Sequence, residues 1–310
     1  MMLNGGIPLR LDLETPMLQT STTHHFRVTS AVTLLFLLTT FASFGQPRYQ
    51  WQPLTDSNWD TAANWVPTRL SPAATDVLVF DGTFTPSTSV TLDFTASQNI
   101  GQLIFINRVQ ATLNTVGSQT LVIGAQSPAV GLQMDAGTLV QVVGRLGSSN
   151  SSLAMQLAVG TRAAIAGRLE FSGNASFTSS HTLLSATAKA IEFTGGSYFL
   201  SGTTFEGFPF GSLTANTESV VFRSGATFEQ AGGRSPFGER TYAVTIFDLG
   251  SYYLYTAGGT GSVGLSGRTF GYLTVNANRT PTAGTYGANK VIIQNDLMIL
   301  SGTHTFNEAV

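Results

Sequence analysis

Aromatic residues recur in pairs six positions apart with glycine between them: Phe171 and Phe177, Phe193 and Phe199, Phe222 and Phe228, Phe247 and Tyr253. The first members follow one another at 22, 29 and 25 residues. Self-similarity at such a period marks a stacked architecture, in which each repeat buries its apolar side only against its neighbours. An even offset keeps both rings on one side of an extended chain, and Gly173, Gly196, Gly225 or Gly250 lets the chain bend between them. A second echo, glycine followed shortly by Thr-Phe, adds Phe270 and Phe306 to the series. A third joins Phe210-Gly-Ser-Leu-Thr-Ala-Asn216 to Phe270-Gly-Tyr-Leu-Thr-Val-Asn276, with a looser copy at Ile100-Gly-Gln-Leu-Ile-Phe-Ile-Asn107.

After residue 46 no stretch carries apolar residues at helical spacing for three turns. Short runs of strand formers stand there instead, among them 76–80, 103–106, 138–143 and 297–300, mostly bounded by Gly, Asn, Ser or Pro. A coil of about 20–25 residues with two or three such strands is the size of one rung of a parallel β-helix, whose equivalent residues lie about 4.8 Å apart. The expected fold is all-β: a right-handed parallel β-helix of roughly nine or ten rungs, near 45 Å long. Phe171, Phe177, Phe193, Phe199, Phe222, Phe228, Phe247, Tyr253, Phe270 and Phe306 are its expected interior ladder. The competing architecture is an antiparallel β-sandwich. It requires hairpin turns such as Asn-Gly or Asp-Gly, and past the first 45 residues only Asp81-Gly82 offers one. An outer-membrane barrel needs strands of about 9–11 residues, longer than these runs.

Charged residues make up 10% of the chain and the formal net charge is -2, which leaves no basic patch for nucleic acid. Cysteine is absent, so neither a disulfide framework nor a thiolate-ligated metal is available. Past residue 46 the histidines are His181 and His304. They fall in separate repeats without a His-x-x-x-His spacing, so no metal and no cofactor is expected.

Arg27 precedes an apolar stretch over 31–42, followed by Ser43-Phe-Gly45 and then Gln46. A basic flank, a short apolar run and small residues at a cleavage point describe a secretory signal peptide. About 12 residues are too few to span a bilayer, which takes roughly 20, so the mature chain is expected to have no transmembrane helix. The leader is assigned to 1–45, cut between Gly45 and Gln46. Met17 is a candidate true start, because Asp12 and Glu14 do not suit a leader's basic beginning. Residues 46–98 hold all three tryptophans and are assigned to a cap over the open strand edge of the first rung. Residues 99–310 are assigned to rungs, with Val310 reading as a truncation within one.

Candidates for chemistry are few. Nucleophilic hydrolysis lacks a Gly-x-Ser-x-Gly elbow. Glu170 and Glu192 each precede a ladder phenylalanine, which places them one rung apart on one outer face, with Arg223 after Phe222 and Asp248 after Phe247. Carboxylates beside a cation suit a β-helix polysaccharide lyase or glycoside hydrolase, which makes Glu170, Glu192 and Arg223 the catalytic candidates. Residues flanking an inward ring must point outward, so the same three also read as a solvated strand face. Trp51, Trp59 and Trp65 are the ligand-binding candidates, as platforms for sugar rings. Packing of the cap onto the first rung accounts for them equally.

The run Ser57-Asn-Trp-Asp-Thr-Ala-Ala-Asn-Trp65, with Pro72 and Asp76-Val-Leu-Val-Phe-Asp-Gly82, resembles the opening of bacteroidete secreted and surface β-helix proteins of the autotransporter-associated β-strand repeat type. Gly267-Arg-Thr-Phe-Gly-Tyr-Leu-Thr-Val-Asn276 is similar to their recurring rung. The resemblance implies an adhesin-like extracellular protein, exported by the type IX route, with a C-terminal sorting domain for which this chain has no candidate. It supplies no catalytic residue. The function expected is therefore non-enzymatic: an exported rod presenting a polar surface to glycans or cell-surface proteins. A carbohydrate-binding module centred on the tryptophans and a polysaccharide-degrading enzyme are the alternatives.

Overall fold

The structure, a computed structural model, describes residues 46–124, 130–144, 151–173, 180–239, 243–257, 265, 267–277 and 290–301. Gly45 and the rest of the expected leader, Phe177, His304 and Phe306 lie outside the described residues. Among the described residues no helix is long and apolar enough to cross a membrane.

The chain winds as a parallel β-solenoid of about eight turns. Each turn lays one strand on a first face and one on a second. On the first face Leu78, Leu103, Leu132, Ala163, Ile191, Val220 and Thr245 stand in register. On the second, Val140, Leu169, Phe199, Phe228, Tyr253 and Leu273 do so. In most strands the burial alternates, as a period of two requires: Ile191 and Phe193 point in while Glu192 points out.

Several turns are longer than the expected coil: Leu78 to Leu103 spans 25 residues, but Leu103 to Leu132 spans 29 and Leu132 to Ala163 spans 31. The lower turns add a third face, built of the strands Ser97–Ile100, Ser118–Ile123, Ser152–Leu157 and Thr182–Leu184. Longer turns mean fewer of them, and about eight at the ~4.8 Å strand spacing give a stack of roughly 38 Å. Past Leu184 the third side is closed by loops, with the Leu183 N–H still donating to the Pro209 carbonyl at 2.8 Å. Phe205, Phe210 and Phe237 from these loops fill the interior that strand side chains occupy lower down.

The six-residue aromatic spacing spans a corner. Phe193 ends a first-face strand, Thr194-Gly195-Gly196-Ser197 turns, and Phe199 lies in the second-face strand Tyr198–Ser201. The Ser197 N–H returns to the Thr194 carbonyl and Gly196 has φ 85°, the value a type II turn requires at its third residue. The turns at Arg223–Ala226 and Asp248–Ser251 repeat it, with Gly225 at φ 81° and Gly250 at 83°. The two rings of a pair therefore belong to two ladders, not to one strand. Phe193, Phe222 and Phe247 stack on the first face, with centroids 4.3 and 5.0 Å apart. Phe199, Phe228 and Tyr253 stack on the second at 5.4 and 5.2 Å. Across each corner the rings meet edge to face, Phe222 on Phe228 at 5.7 Å and 82°.

Two expectations are corrected. Phe171 lies on the second face, in register with Ser201, and the place below Phe193 is taken by Ile165. The heptapeptide echo is not a structural repeat either. Phe270–Asn276 crosses a corner into the second-face strand Tyr272–Asn276, Gln102–Ile106 is a first-face strand, and Phe210–Asn216 is loop ending in the 3-10 turn Thr214–Asn216. Phe270 itself does join the core, 6.1 Å from Phe247 and edge-on to Tyr253.

The first complete turn lies at 77–100, inside the stretch assigned from sequence to the cap. What covers its lower edge is shorter. The strand Arg48–Trp51 pairs parallel to Val77–Asp81, and Trp65–Val66 pairs antiparallel to Arg48–Trp51. On the second face, Ser57–Trp59 hydrogen-bonds to Thr91.

Candidate functional site

The three tryptophans are core residues, each at most 1% exposed. They surround Phe80, which itself stacks on Phe105 at 4.9 Å, so the cap continues the aromatic ladder to its end. Each indole N–H has a partner: Trp51 donates to Thr88 Oγ1, Trp59 to Gln98 Oε1 and Trp65 to the Trp59 carbonyl, at 2.7–2.8 Å. Beside them Arg69 Nε donates to Asp76 Oδ2 at 2.7 Å, both side chains 1% exposed. Rings buried on both faces offer no platform to a sugar, so in this fold the tryptophans form a plug.

Glu170 and Glu192 are separated by a corner. Glu170 lies on the second face, where it accepts from Gln141 Nε2 at 2.7 Å and pairs with Arg168. Glu192 lies on the first. There Arg223, one turn on, donates Nε to Glu192 at 2.8 Å and Nη1 to Asp248, a further turn on, at 3.0 Å. The two hydrogen-bonded carboxylates hold the Arg223 guanidinium above its ordinary value. Of the candidates Glu170, Glu192 and Arg223, the structure brings Glu192 and Arg223 together with Asp248, and Glu170 does not join them. The equal offset from a phenylalanine misled, because Phe171 and Phe193 occupy different faces.

This charged ladder runs up the first face into a feature no sequence motif marks. The first-face sheet ends at Thr245–Phe247; the next strand on that side, Thr269–Phe270, pairs instead with Ile292–Ile293 as a separate sheet. The second face continues unbroken through Tyr252–Tyr255, Tyr272–Asn276 and Leu297–Ser301. A break on one side of a continuous stack opens a cleft of about 390 Å³, lined by Glu218, Thr245, Ile246, Asp248, Leu249, Arg268, Thr269 and Gln294 among others. The Arg268 guanidinium is buried and lies 5.0 Å from the centre of the Phe237 ring.

His181 is fully buried. Its Nδ1 accepts the Leu153 N–H at 3.1 Å, which assigns the ring proton to Nε2, 3.0 Å from the Ser172 carbonyl. Burial drives its pKa down to about 4, against a smaller opposing effect of that hydrogen bond. Among the described residues no group of three or more His, Cys, Asp or Glu could hold a metal ion. The chain matches no protein-family model, no curated protein and no solved structure.

Proposed function

We propose that this is an exported, non-enzymatic, adhesin-like β-solenoid whose role is to hold a long, weakly charged polar surface outside the cell for contact with glycans or surface proteins. The leader-like stretch over 31–46 supports export. The observation that carries the non-enzymatic part is the engagement of Glu192 and Asp248 by one Arg223. Two carboxylates tied to the same guanidinium serve as rungs of a surface ion-pair ladder, with one oxygen of each already engaged in a hydrogen bond. The inward positions are meanwhile committed to packing over the whole stack, so variation along the outward positions is what remains for recognition.

The full chain, immobilised, should retain cells or a glycan-coated surface while releasing no reducing or unsaturated ends from polysaccharides. Polysaccharide turnover that disappears in Glu192→Gln would overturn the reading in favour of an enzyme. Absence of any surface retention would remove the adhesive role.

A further inference from the structure

We propose that the cleft between Thr245–Phe247 and Thr269–Phe270 is a binding site for a neutral saccharide of one or two rings; the proposal rests on the adhesive reading and gives it a location.

The cleft has unspent main-chain groups along both walls. Asp248 returns its N–H to the Phe222 carbonyl, and residues of a parallel strand face their two neighbours alternately. The N–H and C=O of Thr245 and Phe247 therefore point toward the next turn. Across the gap, the Arg268 and Phe270 carbonyls accept from Ile292 and Gln294 on the far side, which turns the groups of Thr269 back toward Thr245–Phe247. The two strands do not hydrogen-bond to each other. Facing donors and acceptors in one cleft suit a ligand that carries both on every hydroxyl.

Charge and size narrow the class. The lining holds two carboxylates, Glu218 and Asp248, and one guanidinium, Arg268, while Arg223, outside the lining, is shared between Asp248 and Glu192. A wall with a small excess of negative charge disfavours a uronate or a sulfated sugar and leaves a neutral ring the better fit. Ile246 and Leu249 add apolar surface for the C–H face of a ring. A cavity of about 390 Å³ lies near the small end of the roughly 300–1,000 Å³ of ligand pockets.

The test is calorimetry and saturation-transfer NMR on the full chain with methyl hexopyranosides, the matching uronates and a β-forming peptide. Thr269→Trp fills the cleft from its outer wall. Thr274→Trp, which places the same indole on the second face, is the control, and circular dichroism checks that both fold. Binding of the neutral glycoside over the uronate, weakened about tenfold or more by Thr269→Trp and unchanged by Thr274→Trp, supports the site. Equal binding in both variants, preference for the uronate or peptide, or no glycoside binding overturns it. If the wild type still adheres to surfaces in those cases, only the cleft falls; if it does not, the adhesive reading falls too.

Discussion

Phe193 and Phe222 lie face to face with ring centroids 4.3 Å apart and planes 2° from parallel. Both are fully buried and both touch the second ladder edge-on, through Phe199 and Phe228. Truncating one opens a hole that neither ladder can close, because the backbone of each turn is pinned by its neighbours on two faces. Phe193→Ala should cost about 3–5 kcal/mol, read from the denaturation midpoint. A loss under about 1 kcal/mol is incompatible with a ring in a close-packed column.

His181 should give the fold an acid limit. Its folded-state value of about 4 lies below the ordinary 6.5, so the native state favours the neutral ring. That contribution is complete above about pH 6.5 and declines as pH falls toward 4, by about 3 kcal/mol in all. Protonation also sets a positive Nδ1 against the Leu153 N–H. His181→Phe should lower stability at neutral pH yet flatten this limb, as thermal melts between pH 7 and pH 4 would reveal. An unchanged slope would assign the acid limit to other groups.

The buried pair Arg69–Asp76 should behave asymmetrically. Arg69 also reaches Gln98, the acceptor of the Trp59 indole, so the pair supports the plug. Asp76→Ala leaves a buried guanidinium without its counter-charge and should cost about 3–5 kcal/mol. The double variant Arg69→Met with Asp76→Leu should recover most of that loss. A double variant as unstable as the sum of the two single variants would refute a pairwise origin.

Gly225 isolates backbone conformation from space. A Cβ built there meets nothing nearer than the Gly195 Cα at 3.4 Å, yet φ is 81°. Gly225→Ala should therefore cost about 1–2 kcal/mol through the left-handed strain alone, and Gly225→Asn less. Equal costs for the two, measured by denaturation, would mean that packing at the corner dominates.

The stacked architecture was legible because the side chains that make it are large and recur. Phe193, Phe222 and Phe247 announce themselves at any register. Their assignment to faces was less legible, since a six-residue step reads as one strand unless the turn at Thr194–Ser197 is recognised. Below Phe193 the ladder continues as Ile165 and Met134, ordinary apolar residues that carry no periodic signal. Phe171 then took a place in the series that belongs to Ile165, and Glu170 followed it onto the wrong face. Residues 46–98 read as a cap, yet the strands between Val77 and Ile100 already form a turn. The cleft had no sequence signal at all, because it arises where two strands fail to pair.

Trp65–Val66 runs against the direction of every other strand it neighbours through Arg48–Trp51. A second solenoid meeting this pole would face an antiparallel, aromatic-filled lid where its own strands need a parallel template. Parallel extension of the first-face sheet past Trp65–Val66 is therefore disfavoured. Among the described residues the tube is therefore polar, with an antiparallel strand at one edge of its first-face sheet and parallel strands above it.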